Sequence, residues 1–150
     1  MIRIVRTHAE NLDFVRLVGL LDEELAKRDG DEHPFYAQYN TIDTIRHVVL
    51  AYSNGGVVGC GAIKPYAPGV MEVKRMFVHP DSRRKGIAAL VLRELEEWAR
   101  ELQADRCILE TGKKQPEAIG LYTSHGYALI PNYGQYAGMR NSVCFQKDLR

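Results

Sequence analysis

The apolar and polar positions of the chain change period several times, and each change marks a structural element. Residues 2–6 alternate apolar and polar side chains, which predicts a strand at or near a sheet edge, with Thr7 offering a cap or turn. Over residues 12–27, Leu12, Val15, Leu17, Val18, Leu21 and Leu25 recur at helical spacing, and the charged, glycine-containing run RDGDEHP ends that helix. Phe35, Tyr36, Tyr39, Ile42 and Ile45 fit short helical turns and a loop folded over a pocket equally well. Residues 48–52 and 57–63 are two strands joined by SNGG, whose Asn-Gly and Gly-Gly pairs accept the positive φ of a tight hairpin. KPYAPG makes the next turn. Residues 70–78 form a third long strand, ended by HPDSRRKG because Pro80 has no N–H to give a ladder.

Beyond Gly86 the period becomes helical. Ile87, Val91, Leu95, Trp98 and Leu102 share one face, widened by Ala88, Leu92 and Ala99, and that face should pack on the sheet. Residues 107–109 are a short apolar strand. Pro116 opens a second helix at the position where a missing N–H costs nothing, SHGY closes it at Gly126, and residues 127–130 and 143–145 add final strands. With no linker, repeat or low-complexity tract, residues 1–150 predict one α/β or α+β domain. In it an antiparallel meander feeds a strand, helix, strand, helix unit, and the strands on either side of the long helix are parallel.

Composition narrows what such a domain can do. A chain of 150 residues, 45% of them hydrophobic, can bury a sufficient core without a metal or a disulfide. Twenty Lys and Arg against nineteen Asp and Glu give a net charge of +1, so the protein is no general trap for nucleic acid, and an anion site must be built locally. Cys60, Cys107 and Cys144 are odd in number, far apart and set in apolar runs, as expected of buried free thiols in a reducing compartment. No spacing of His with Cys or acids predicts a metal site. The first residues lack a signal-peptide pattern and no window reaches 18 apolar residues, so a cytoplasmic protein with no membrane partner is the default.

The run RRKGIA, residues 83–88, stands at the junction of the third strand and the long helix. If Ile87 begins the helix, the N–H groups around it have no partners inside the helix, and a phosphate there would accept several of them and gain from the helix dipole. Gly86 allows an unusual backbone angle, Ala88 leaves little side chain in the way, and Arg83, Arg84 and Lys85 raise the local potential. Basic residues at a helix N-terminus oppose the usual dipole preference, an arrangement that an anion relieves. The alternative is a solvated loop whose glycine only shapes a turn. Neither a Walker loop nor the dinucleotide fingerprint is present.

The whole run MEVKRMFVHPDSRRKGIAALVLRELEEWA resembles the central motif of the GCN5-related N-acetyltransferase (GNAT) superfamily. Arg83, Gly86 and Ala88 match its pattern of Gln or Arg, two residues, Gly, one residue, Gly or Ala, and EAIGLYTSHGY resembles the second acetyl-CoA motif. The resemblance covers nearly the whole chain. It implies a mixed, mostly antiparallel sheet with splayed central parallel strands and flanking helices, and an acetyl-CoA-dependent acetyltransferase. By resemblance, the diphosphate of acetyl-CoA meets the backbone amides from Arg84 through Lys85, Gly86 and Ile87 to Ala88, with Arg83 at the entry of the loop. The pantetheine arm lies between the strand ending at Val78 and that beginning near Cys107, and Met76, Phe77 and Val78 border it, a backbone N–H around Phe77 or Val78 polarising the acetyl carbonyl. Gln115 stands where family members often carry Asn, followed by Ala118, and Tyr122 corresponds to the tyrosine that protonates the departing CoA sulfur.

Glu72 has the spacing before Arg83 of the catalytic glutamate in the histone-modifying branch, and alternation places it on the face of Lys74 and Met76. Glu110 competes for the role of base or of cation holder, and pairing of Glu72 with Lys74 or Arg75 is the structural alternative. A thiol nucleophile lacks an evident activating base, which favours direct transfer in a ternary complex over an acyl-enzyme. His79 and His125 read as turn residues. The acceptor side falls, by resemblance, on residues 23–39 and on PNYGQYAGMRNS, where Tyr36, Tyr39, Tyr133 and Tyr136 would frame an amine. Glu23, Glu24, Asp29, Asp31 and Glu32 favour a cationic acceptor, whereas Arg75, Lys113, Lys114 and Arg140 favour a carboxylate-bearing amine. A small-molecule amine is the leading acceptor, against a protein lysine or N-terminus, or a non-catalytic acyl-CoA sensor, and the resemblance also allows a homodimer.

Overall fold

The computed structural model describes residues 1–30 and 45–150, with the backbone alone at Asp29. Its elements are β1 (Ile2–Thr7), α1 (Leu12–Asp29), β2 (His47–Ser53), β3 (Gly56–Ala67), β4 (Val70–Val78), α2 (Ile87–Glu101), β5 (Arg106–Gly112), α3 (Pro116–Ser124), β6 (Ala128–Ile130) and β7 (Ser142–Asp148). The strands follow the order β1-β2-β3-β4-β5-β7-β6. β1 with β2, β2 with β3, β5 with β7 and β6 with β7 are antiparallel, and β4 with β5 is parallel, so the sheet is mixed and mostly antiparallel as expected. The chain groups into two compact units, residues 1–64 with 74–95 and residues 65–73 with 96–150.

In the first unit, Asn54 and Gly55 turn the hairpin at φ 53 and 83, which suits the right-handed twist of the strands they join. Asn11 caps α1, its side chain accepting the Asp13 N–H at 2.9 Å. Phe14, Leu17, Val18 and Leu21 then form the buried stripe, packed with Val48 and Leu50 of β2, Cys60 and Ala62 of β3, and Phe77 of β4. Leu12 and Val15, expected on that stripe, are 78% and 43% exposed. The phase of the helix is set by Phe14, which lies between them and buries the larger ring.

β3 alternates between two helices. Cys60 and Ala62 belong to the core beneath α1, whereas Gly59 and Gly61 lie beneath α2. A Cβ added at Gly61 would sit 2.5 Å from the Met76 sulfur and 2.9 Å from side-chain carbons of Val91 and Leu95. Glycine is therefore what lets Ile87, Val91 and Leu95 press close to the sheet, each such buried side chain contributing roughly 1.5–3 kcal/mol.

In the second unit, the β4–β5 ladder joins Val70–Glu72 to Arg106–Ile108 in register. β7, last in the chain, pairs with β5 from Arg106↔Asp148 to Gly112↔Ser142 and separates it from β6. The expected KPYAPG turn is shorter than its sequence suggests: residues 65–67 continue β3, and Pro68 and Gly69 alone turn the chain, Gly69 at φ 74. Leu102, expected on the buried face of α2, lies beyond the helix end and is 38% exposed. Glu96 is buried on that helix instead, one oxygen accepting the Tyr127 hydroxyl at 2.8 Å and the other the Lys147 ammonium at 2.9 Å. No described helix is long and apolar enough to cross a membrane.

Candidate functional site

The end of β4 and the start of α2, both in the first unit, carry the basic motif. His79 N–H bonds to the Val58 carbonyl at 2.8 Å, and its Nδ1 accepts the Asp81 N–H at 3.2 Å, capping one 3-10 turn over Pro80–Ser82. His79 is thus the turn residue its position suggested. Arg84 and Gly86 are left-handed, at φ 65 and 78, with Lys85 between them. Residues alternating in this way aim successive N–H groups to one side, and α2 adds the unpaired donors of its first turn, where no acidic residue compensates the dipole. Residues 83–86 are exposed and Ala88 is half-buried, so the cradle faces solvent.

Arg83 is already engaged. Its Nε donates to the Val78 carbonyl at 2.9 Å, its Nη2 donates to Glu24 of α1 at 2.8 Å, and its guanidinium lies 5.4 Å from the centre of the Phe77 ring. Glu24 also meets Arg28 at 3.2 Å, so it is a bridge within the fold and not a loose rim charge. Met76 points toward α2, as its closeness to Gly61 shows. Arg75, at φ 58, interrupts the alternation of β4, so parity counted from Glu72 to Met76 does not carry across it.

The second unit holds the tyrosines and carboxylates. On α3, Gln115, Ala118 and Tyr122 follow one another at three- and four-residue spacing along one side of the helix. Gln115 is the N-cap residue but its side chain makes no cap bond, leaving the amide available. Tyr122 is the buried residue of α3, edge-on to Tyr127 with ring centres 5.7 Å apart and tilted against Phe145 at 6.4 Å. Its hydroxyl has no hydrogen-bond partner among the described residues. Burial, with Glu110 adding to it, pushes the Tyr122 phenol well above the ordinary tyrosine range, so it holds its proton at neutral pH.

Glu72 is buried and its Oε2 accepts the Tyr133 hydroxyl at 2.6 Å. Tyr133 stands edge-on to Tyr66 and to Tyr136, with ring centres 5.1 and 5.8 Å away. Burial raises the Tyr133 phenol and Glu72 raises it further, while Tyr136 is raised by burial, then by Glu110 and Glu72. Glu110 lies opposite Cys144 in the β5–β7 pair. Tyr66 and the Tyr133 bond to Glu72 escaped the sequence: Tyr66 lay in a presumed turn, and a hydrogen bond between residues 61 positions apart leaves no local signal. The cysteines are free and buried, Cys60 and Cys107 pushed up to about 12 and Cys144 to about 11, chiefly by burial. Among the described residues no cluster could hold a metal ion. Asp31, Glu32, Tyr36 and Tyr39 lie outside the described residues.

Comparison with known proteins decides the family. The model of the acetyltransferase (GNAT) family matches residues 14–127. The chain belongs to the GNAT acetyltransferase family. This acetyltransferase is similar to an IAA acetyltransferase of Azospirillum brasilense, with 35% identity over 137 residues, covering 86% of this chain and 88% of that protein. Among solved structures it is similar to a proposed acyl-CoA N-acyltransferase from Klebsiella pneumoniae subsp. pneumoniae, at TM-score 0.84 and 30% identity, covering 100% of this chain and 99% of the other. The fold is shared with a GNAT acetyltransferase of Elizabethkingia anophelis solved with acetyl-CoA bound, at TM-score 0.72 and 16% identity over 98% and 97% of the two chains. Acetyl-CoA is the acetyl donor of the family. The GNAT chain thus carries an exposed amide cradle in one unit and, in the other, a protonated buried phenol with two carboxylates.

Proposed function

We propose that this acetyltransferase moves the acetyl group of acetyl-CoA directly onto the primary amine of a small molecule, with residues 1–150 acting as one catalytic domain. The diphosphate is assigned to the amides from Arg84 through Lys85, Gly86 and Ile87 to Ala88, since left-handed Arg84 and Gly86 expose those donors at a helix start free of acidic side chains. Arg83 holds the loop in place through Val78 and Glu24. The pantetheine arm is assigned to Met76, Phe77 and Val78, whose backbone would polarise the acetyl carbonyl, and Gln115 and Ala118 are assigned to the cofactor by the second family motif.

The amine attacks the acetyl carbon, and its proton passes to Glu72, directly or through a water that Tyr133 helps to place. As the C–S bond breaks, Tyr122 gives its proton to the thiolate and is recharged from solvent. The observation that carries this reading is Tyr122: a buried phenol, fully protonated at neutral pH, whose hydroxyl is not committed to the described protein. Thiols raised as far as Cys60, Cys107 and Cys144 are poor nucleophiles at neutral pH, which supports direct transfer. The name of the Azospirillum relative supports a small-molecule acceptor.

The test incubates the protein with acetyl-CoA and a panel of small amines, following free thiol and product mass. Acceptor-dependent thiol release is expected, falling about 100-fold or more in kcat for Tyr122→Phe while acetyl-CoA binding by calorimetry is kept. Cofactor binding with no turnover on any amine would turn the reading into that of a sensor.

A further inference from the structure

Arg75 of β4 combines three features. It is 6% exposed, its backbone is held at φ 58, and its Nε and Nη1 are buried without a hydrogen-bond partner among the described residues. Only Nη2 is engaged, at 2.6 Å from Asp22 Oδ1 of α1. The Cys60 thiol donates to the Arg75 carbonyl at 3.3 Å and helps to fix the unusual backbone. A buried N–H without an acceptor is costly, and so is a left-handed non-glycine residue inside a strand. A strap between α1 and β4 accounts for the Asp22 contact and leaves the other two nitrogens unexplained.

Asp22 shows what this guanidinium accepts. It is a carboxylate, and its side chain is 50% exposed, so the rim of the pair is open to solvent even though the guanidinium is not. We propose that Arg75 is the specificity-determining residue for the acceptor: one of its unpaired donors takes an oxygen of an acid group, so the acceptor is an amine that also carries a carboxylate. This rests on the acetyl-transfer reading above. β4 places Arg75 immediately before Met76, Phe77 and Val78, the stretch assigned to the acetyl end of the donor, so an acid group held here keeps the amine of the same molecule nearby. Nε and Nη1 lie on different edges of the guanidinium plane. One carboxylate oxygen therefore takes one of these donors and a water the other, while Asp22 keeps Nη2. A lysine at this position would keep the charge and lose the fork.

The experiment uses matched acceptors, α-amino acids and their primary amides, with the full-length protein and its Arg75→Lys variant. The acid is expected to exceed the amide at least about tenfold in kcat/KM, and Arg75→Lys to abolish that preference, the change falling on the KM of the acid. Separately, the Nε–H nuclear magnetic resonance signal of Arg75 in the wild-type protein with CoA should shift on addition of the amino acid and not of its amide. Equal rates for acid and amide in the wild type, a preference that survives Arg75→Lys, or an unmoved signal would overturn the proposal. If Arg75→Lys fails to fold, the wild-type preference and the resonance decide. A signal that shifts while no amine is ever acetylated keeps the acid-binding site and removes the transfer reaction.

Discussion

In the first unit three carboxylates are met by arginines, Glu94 by Arg6 at 2.7 Å, Asp22 by Arg75 at 2.6 Å and Glu24 by Arg83 at 2.8 Å, while the half-buried Asp13 accepts the Tyr52 hydroxyl at 2.6 Å. In the second unit the two buried glutamates are met by phenols, Glu72 by Tyr133 and Glu96 by Tyr127, with Lys147 added at Glu96. A guanidinium keeps its charge at every accessible pH, so these pairs do not depend on the uptake or loss of a proton by the cation. A phenol near a carboxylate, with burial, keeps its proton, so the second unit stores protons where the proposed chemistry moves them. The two units therefore differ in whether the partner of a buried carboxylate can give up a proton.

The largest effect that would sharpen this contrast is alkaline. Tyr122, Tyr127 and Tyr136 are buried, and each is raised above the ordinary tyrosine value. Below about pH 10 folded and unfolded chains both hold these protons, and the stability associated with them is intact. Above it the unfolded chain releases protons that the folded chain retains, so stability falls as pH rises, by about 1.4 kcal/mol per group per pH unit. Three such groups give roughly 4 kcal/mol by about pH 11, which urea unfolding at stepped pH would register. A flat stability up to that pH would show that the phenols are not held as described.

A smaller effect tests the packing of the first unit. Gly61→Ala places a methyl group against Met76, Val91 and Leu95, and overpacking of this kind costs about 1–3 kcal/mol. Thermal unfolding of the variant measures it, and an unchanged midpoint would mean that α2 has more room than its contacts indicate. Smaller again is Gly86→Ala. No atom stands within 4 Å of the added carbon, so the cost is the left-handed backbone alone, about 1–2 kcal/mol, and acetyl-CoA should bind about tenfold more weakly. Full affinity in calorimetry would place the diphosphate elsewhere.

Much of this was legible in the sequence because it depends on local period. The long strand of β4, the start of α2 at Ile87 and of α3 at Pro116, and the basic loop between β4 and α2 all sit where apolar spacing and Pro or Gly put them. The family motif could be matched to residues because it is contiguous. What failed was decided at a distance. Phe14, fully buried, takes the place on the stripe that Leu12 and Val15 were expected to share, a choice made by what α1 packs against and not by local spacing. Glu96 could be buried only because Tyr127 and Lys147 come to it from later in the chain. β7 slips between β5 and β6, a pairing that no spacing announces. The left-handed Arg75 was likewise invisible to period, and it means that alternation cannot be counted along β4 from Glu72 to Met76.

The smallest effect concerns Arg83, and it separates two roles for the motif's first residue. If Arg83 grips the diphosphate, Arg83→Lys should weaken acetyl-CoA binding at least as much as Gly86→Ala. Its contacts argue otherwise: one donor goes to the Val78 carbonyl, one to Glu24, and the plane of the guanidinium lies near the Phe77 ring. With the two charged side chains 39% and 28% exposed, their ion pair is screened and contributes at most about 1 kcal/mol. A lysine retains the charge, so only the loop's orientation suffers, and about a threefold loss of acetyl-CoA affinity is expected. Glu24→Gln should lose a similar amount, because it frees the same guanidinium from the other side. Loss in Arg83→Lys with none in Glu24→Gln would mean that the arginine leaves Glu24 to hold the cofactor itself, and the fixed bridge between α1 and the loop would have to be given up.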